Sequence, residues 1–225
     1  MTPQSAQRGL SLVELLVGVA IALFIAAAAA TLLAGHLRES RAVLLEARLM
    51  QDLRTAADLV SRDLRRAGFW GASVDGVRAP GTGPVAANPY TALAPTAAAS
   101  DAASFRYSRD AAENGVVDSN EQFGFRLRNG AIELQLGAAN WQALTDTGTL
   151  TITQFSVTPT VQELSLETFC ARPCAPGAAA CPPRHQVRSL ALEITGRLAA
   201  DATVTRSVRS AVRLRNDVVI GACAA

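Results

Sequence analysis

The sequence predicts an α+β fold: one long N-terminal helix, its first half apolar all round, whose second half packs on a head of antiparallel β-sheet. Three observations carry this. Residues 15–35 read LLVGVAIALFIAAAAATLLAG, an uncharged run in which Thr31 is the one polar side chain. A period of three and four then continues to residue 67, as one apolar helix face requires. From residue 104 onward the period becomes two, with alternating runs on either side of Asn129-Gly130, the pattern of paired strands.

The apolar run is long enough to cross a hydrocarbon core as a helix. The segment before it carries Arg8 and no acid, which keeps that end cytoplasmic and sends the rest outward. Nothing in the chain stops a helix from 10 to 67, since no proline lies between Pro3 and Pro80 and only Gly18 and Gly35 interrupt. Each such glycine costs about 1 kcal/mol against alanine. Met50, Leu53, Ala57, Val60, Leu64 and Ala67 form the apolar stripe, and Arg48, Asp52, Arg54, Asp58, Arg62 and Arg66 occupy the other faces. Arg48–Asp52, Arg54–Asp58 and Asp58–Arg62 are spaced to pair along the helix. Gly68 is the expected stop. At about 1.5 Å per residue the helix is roughly 85 Å long. A coiled coil would need a longer heptad pattern than the two repeats present.

Residues 71–104 are rich in Ala, Gly, Pro, Ser and Thr, with Pro80, Pro84, Pro89 and Pro95 among them; they read as an irregular surface loop. Strands follow. Phe123, Phe125 and Leu127 alternate with Gly124, Arg126 and Arg128; after Asn129-Gly130, Ile132, Leu134 and Leu136 alternate with Glu133 and Gln135. This predicts a hairpin with a type I′ turn. Further strands are expected at 104–108, 150–158, 161–169, 186–195 and 203–214, the last two forming a hairpin. Leu190, Leu192, Ile194, Val212 and Leu214 should face inward, and Arg213 and Arg215 outward. One sheet face then meets the helix, and the other meets water or a second layer.

Composition narrows the function. The chain has 225 residues, 49% of them hydrophobic, which excludes disorder throughout. Its net charge is +2, too small for a general nucleic-acid binder, and no nucleic-acid partner is evident. There is no lysine, and the two histidines are His36 and His185. The first reads as interfacial, the second as a strand-start or loop residue. No nucleophile-elbow or phosphate-loop motif occurs, so no catalytic set emerges. A membrane-anchored enzyme would need a convergent titratable cluster that the motifs do not supply.

Two constellations remain. Cys170, Cys174, Cys181 and His185 have a spacing open to zinc, which would leave Cys223 over. An even set of four cysteines outside the cytoplasm favours disulfides instead. Of the three connectivities, Cys170–Cys174 with Cys181–Cys223 tying down the C-terminus is the expected one, at roughly 2–4 kcal/mol per bridge. The second constellation is DAAENGVVDSNE at 110–121. Read as a calcium loop, it offers Asp110, Asn114, the Val116 carbonyl, Asp118 and Glu121, with Gly115 at the sharp turn. Ala112 supplies no ligand where one is needed, and the flanks are strands. The competing reading is an acidic, solvated hairpin loop.

Glu14 needs its own account, because a carboxylate near the start of a membrane run costs a few kcal/mol to insert. A cleaved secretory signal and a plain anchor both leave it unexplained; an interfacial, snorkelling position is the simplest physical alternative. Gly9-Leu10-Ser11-Leu12-Val13-Glu14-Leu15-Leu16 resembles the type III signal of type IV pilins and pseudopilins. The resemblance implies a leader, 1–9, cut between Gly9 and Leu10 by a prepilin peptidase, with N-methylation of Leu10. Leu10 departs mildly from the phenylalanine commoner at that place. It further implies a pilin-like fold: helix 10–67, with 10–35 as membrane span and filament core, and an extracytoplasmic head, 68–225. Cleavage frees an amine on Leu10 that is charged near neutral pH. In a filament it can meet a neighbour's Glu14, so that two charges costly to bury alone form a pair.

Arg65-Arg66-Ala67-Gly68-Phe69-Trp70-Gly71 resembles the stretch after the helix in PilW-type minor pilins, although Phe69 and Trp70 also suit packing at the junction of helix and head. The implied function is that of a structural minor pilin in assembly priming, within a tip complex of other minor pilins and the major pilin. The implied location is a single pass in the inner membrane with a periplasmic head, and later the pilus at the cell surface. A J-type minor pseudopilin of type II secretion is the alternative.

Overall fold

The computed structural model describes residues 11–76, 86–178 and 180–224. It divides into two units, Met1–Ala47 and Arg48–Ala225. The expected helix is α1, Leu12–Leu64, long and apolar enough to cross a membrane. In the first unit every described residue from 11 to 44 is exposed. In the second unit Leu49, Leu53, Ala56, Ala57, Val60, Ser61 and Leu64 are buried, so the expected stripe is present and widened by its neighbours. Beyond Leu64 the chain tightens into turns: the Ala67 N–H donates to the Leu64 carbonyl at 3.1 Å. Gly68, at φ +77°, then adopts the left-handed conformation glycine takes most cheaply. Of the three expected helix pairs, Arg48–Asp52 forms at 4.0 Å. Arg62 meets its neighbour Asp63 at 3.4 Å instead, which leaves the Asp58 pairings unmade among the described residues.

The head holds two antiparallel sheets. The first has the order β1 (Leu93–Ala94), β2 (Ala102–Arg106), β3 (Gln122–Arg128), β4 (Ala131–Leu136), β5 (Trp141–Ala143). The second runs β6 (Leu150–Ser165), β7 (Arg184–Leu198), β8 (Thr205–Arg213), with β9 (Val218–Ile220) also on β7. The β3–β4 hairpin is as expected: Arg128 faces Ala131, and Asn129 (φ 51°) and Gly130 (φ 75°) take the two positive φ values of a type I′ turn. Three expectations need correction. The strands read at 150–158 and 161–169 merge into one strand, β6, which carries Pro159 opposite Leu190 and ends at Ser165, ahead of a 3₁₀ turn at Glu167–Phe169; an edge position tolerates proline's missing N–H. Among the described residues, the stretch read as loop contains a 3₁₀ turn at Ser73–Gly76, β1 and the first residues of β2. The short strands β5 and β9 had no alternation long enough to register.

The core joins the helix stripe to Phe105, Phe123, Phe125 and Ile132 of the first sheet, and to Ile152, Phe155, Val157, Leu190, Leu192, Ile194 and Val212 of the second. Leu214, beyond β8, is also buried, while Arg213 and Arg215 are exposed. Helix and second sheet approach closely at Gly196, where a Cβ would lie 3.0 Å from the Leu53 side chain. Trp70 is buried, as expected at the junction, but Phe69 is 49% exposed.

Candidate functional sites

Gly9 and Leu10, the expected processing residues, lie outside the described residues. Glu14 does not. The Ser11 N–H donates to Glu14 Oε2 at 3.1 Å, and the Glu14 N–H donates to Ser11 Oγ at 3.2 Å. This is a reciprocal capping box, and a carboxylate there also complements the positive end of the helix. The Ser-x-x-Glu spacing at 11–14 is the sequence signal for it, and the membrane-cost argument passed over it. Within one chain, then, Glu14 holds the first turn of α1. The side chains that follow are uncovered by the chain itself: Phe24 is 79% exposed, Leu32 67%.

In the head, the 108–121 segment wraps a buried polar cluster. Asp110, Asp118 and Glu121 offer carboxylate oxygens within 4.8 Å of one another. The Asn114 N–H donates to Asp110 (3.3 Å) and its side-chain amide donates to Asp118 (3.2 Å). Gly115 takes φ +72°. So the chain does bring the expected carboxylates together. Glu121, however, is fully buried and already satisfied. Its Oε1 accepts from the Arg109 N–H (2.7 Å) and its Oε2 from the Asp118 N–H (2.8 Å), while the Tyr90 hydroxyl oxygen lies 3.3 Å from Oε1. The Val116 carbonyl lies 3.3 Å from the same hydroxyl. The two backbone bonds give Glu121 a part in holding the loop, and Ala112 still offers no ligand. The three carboxylates thus stand close enough to share a cation, and backbone hydrogen bonds order the loop around Glu121.

Sequence reasoning missed two members of this cluster. Glu113 accepts from the Tyr90 hydroxyl at 2.8 Å and from the Gly71 and Gly115 N–H groups at 3.1 and 3.2 Å. Desolvation alone would raise its carboxyl, but hydrogen bonds from Ser108, Tyr90, Gly115 and Gly71 outweigh it and hold the group below the usual carboxylate range. Tyr90 is fully buried. Burial, followed by its bonds to Glu113 and Glu121, pushes its phenol above the ordinary value. Both contacts join parts of the chain far apart in sequence, and local spacing carries no signal of them.

The cysteines correct the expected pairing. Cys170 bonds Cys223 and Cys174 bonds Cys181. Nearness in sequence favoured Cys170–Cys174. But Cys170 follows the turn at Glu167–Phe169, and β9 returns along β7, opposite Arg184–Gln186, bringing the C-terminus to it. With all four thiols in disulfides, the zinc reading fails. His185 is the second residue of β7, 3.2 Å from Asp217.

A helix whose described residues up to 44 are exposed and apolar in the main, followed by a disulfide-bonded head of antiparallel sheets, defines a pilin-like subunit. Comparison with protein families agrees: the prokaryotic N-terminal methylation motif matches residues 4–30, and prepilin peptidase-dependent protein B matches residues 42–214. The second match spans most of the chain, which belongs to the prepilin peptidase-dependent protein B family. It is a structural, pilin-like protein, processed by prepilin peptidase, of pilus or pseudopilus assembly. Neither the comparison with curated proteins nor that with solved structures gives a match.

Proposed function

We propose that the chain is a minor pilin of the PilW type that primes type IV pilus assembly from a tip complex with other minor pilins and the major pilin. The observation that carries this is the methylation-motif match over 4–30, which runs into a helix whose apolar side chains up to residue 44 find no cover in their own chain. Such a surface is stable only in lipid or against other helices. Prepilin peptidase cuts between Gly9 and Leu10, and Leu10 becomes N-methylated. The span 10–35 then holds the subunit in the inner membrane with its head, 68–225, in the periplasm, where disulfides persist. On entry into the pilus the freed amine of a neighbour meets Glu14. The residues after the helix, 65–71, support the PilW-type assignment over a J-type pseudopilin of type II secretion.

Deleting the gene tests this. Loss of surface pili with secreted enzymes unchanged supports the proposal; the reverse assigns the chain to the secretion system. Gly9→Val should leave the full-length chain on mass spectrometry, and normal maturation of that variant would refute the cleavage site.

A further inference from the structure

Where α1 ends, a cleft of about 430 Å³ is lined by Arg62, Arg65, Arg66, Phe69, Arg215 and Asn216. Arginines at a helix C-terminus ordinarily answer the exposed carbonyls and the negative end of the dipole. Here the carbonyls are answered otherwise. The Asn216 amide donates to the Ala67 carbonyl at 3.0 Å and the Arg66 carbonyl at 3.4 Å, and the Arg215 backbone N–H donates to the Arg65 carbonyl at 3.3 Å. Acids are scarce too. Arg62 has Asp63 at 3.4 Å, and the nearby Asp217 is taken by Arg213 (3.1 Å) and His185 (3.2 Å). Among the described residues, the side chains of Arg65, Arg66 and Arg215 form no ion pair.

Arg66 is nevertheless held in place. Its guanidinium lies 4.1 Å over the Tyr107 ring, and Tyr107 stacks at 3.9 Å and 4° on Phe123. A guanidinium held over a ring can still offer N–H donors to a carboxylate, which it grips with two parallel hydrogen bonds. Part of the ordering cost of binding is thus met before any ligand arrives. In the same cleft, Phe69 offers half of its surface to solvent.

We propose that this cleft docks a carboxylate-bearing segment of a partner subunit, an acidic peptide whose apolar neighbour covers Phe69. The inference rests on the assembly role above for the identity of the partner, and on charge complementarity for its chemistry. A nucleic acid needs a row of cations that follows successive phosphates. These guanidiniums instead close around one cleft, on a chain of net charge +2.

The test uses the full chain in neutral detergent and a fluorescein-labelled hexapeptide of alternating glutamate and leucine, followed by anisotropy. Expected is binding that weakens with salt and is lost when glutamine replaces glutamate in the peptide. Arg65→Ala/Arg215→Ala should weaken it by about tenfold or more, while Arg128→Ala, at the β3–β4 turn, should not. If the double alanine variant misfolds, Arg65→Lys/Arg215→Lys keeps the charge, loses the forked donors, and should still weaken binding. Absence of binding at low salt, equal binding of the glutamine peptide, undiminished binding by both double variants, or tighter binding of a labelled thymidine oligonucleotide would overturn the proposal. None of these bears on Leu10 maturation or on piliation in the deletion strain, so failure here is distinguishable from failure of the assembly role.

Discussion

The two disulfides close loops of very different length, and that difference can be measured. Cys170 and Cys223 are 53 residues apart, Cys174 and Cys181 only 7. If a cross-link acts by restricting the unfolded chain, the longer loop is worth about 4 kcal/mol and the shorter about 2.5 kcal/mol. For a unit the size of Arg48–Ala225, about 3 °C of thermal midpoint per kcal/mol follows, hence losses of about 12 °C and about 8 °C. The perturbation is paired replacement, Cys170→Ala/Cys223→Ala against Cys174→Ala/Cys181→Ala, so that no lone thiol remains to rearrange. The assay is thermal unfolding of the full chain in detergent by far-ultraviolet circular dichroism, with peptide mapping of the wild type under non-reducing conditions. The first variant should fall further, and its C-terminal strand β9, held to β7 by three residue pairs, should lose hydrogen-exchange protection. Equal losses, or a larger loss on removing Cys174 and Cys181, would refute the loop argument. A Cys170–Cys174 peptide in the map would refute the pairing itself.

Other predictions separate roles that share a residue. Glu14→Ala removes both the Ser11 cap and the partner of a neighbour's amine, whereas Glu14→Gln keeps a capping acceptor and loses the charge. Both variants should insert in the membrane, and both should crosslink poorly to partner pilins; wild-type crosslinking by Glu14→Gln would reduce Glu14 to a cap. Glu113 has a depressed carboxyl pKa, so its contribution is complete above the ordinary glutamate pKa and is lost as pH falls through the folded value. Thermal midpoints should therefore drop in acid, and Glu113→Gln should flatten that drop; an unchanged pH profile would refute it. Millimolar calcium should leave the midpoint of the wild type unchanged if the two backbone N–H groups that hold Glu121 are enough to order the loop. A rise in midpoint that Asp118→Ala abolishes would install the calcium loop instead.

The sequence determined much about this protein through local physics. The run at 15–35, the stripe from Met50 to Ala67 and the Asn129-Gly130 turn each follow from residues a few positions apart, where period and backbone preference decide conformation. The N-terminal signal is legible for the same reason: its elements are contiguous. What tertiary structure alone decided are the contacts between distant segments. The merging of β6 across Pro159 depends on β7 pairing along its whole length. The Tyr90–Glu113–Glu121 cluster depends on a loop folding back across the first sheet. Cys170 finds Cys223 because β9 returns along β7, and Arg65, Arg66 and Arg215 face one cleft because the bend after β8 caps the end of α1. Each is a long-range closure, whose ordering cost is repaid only when the whole head packs, and residue spacing along the chain holds no record of it.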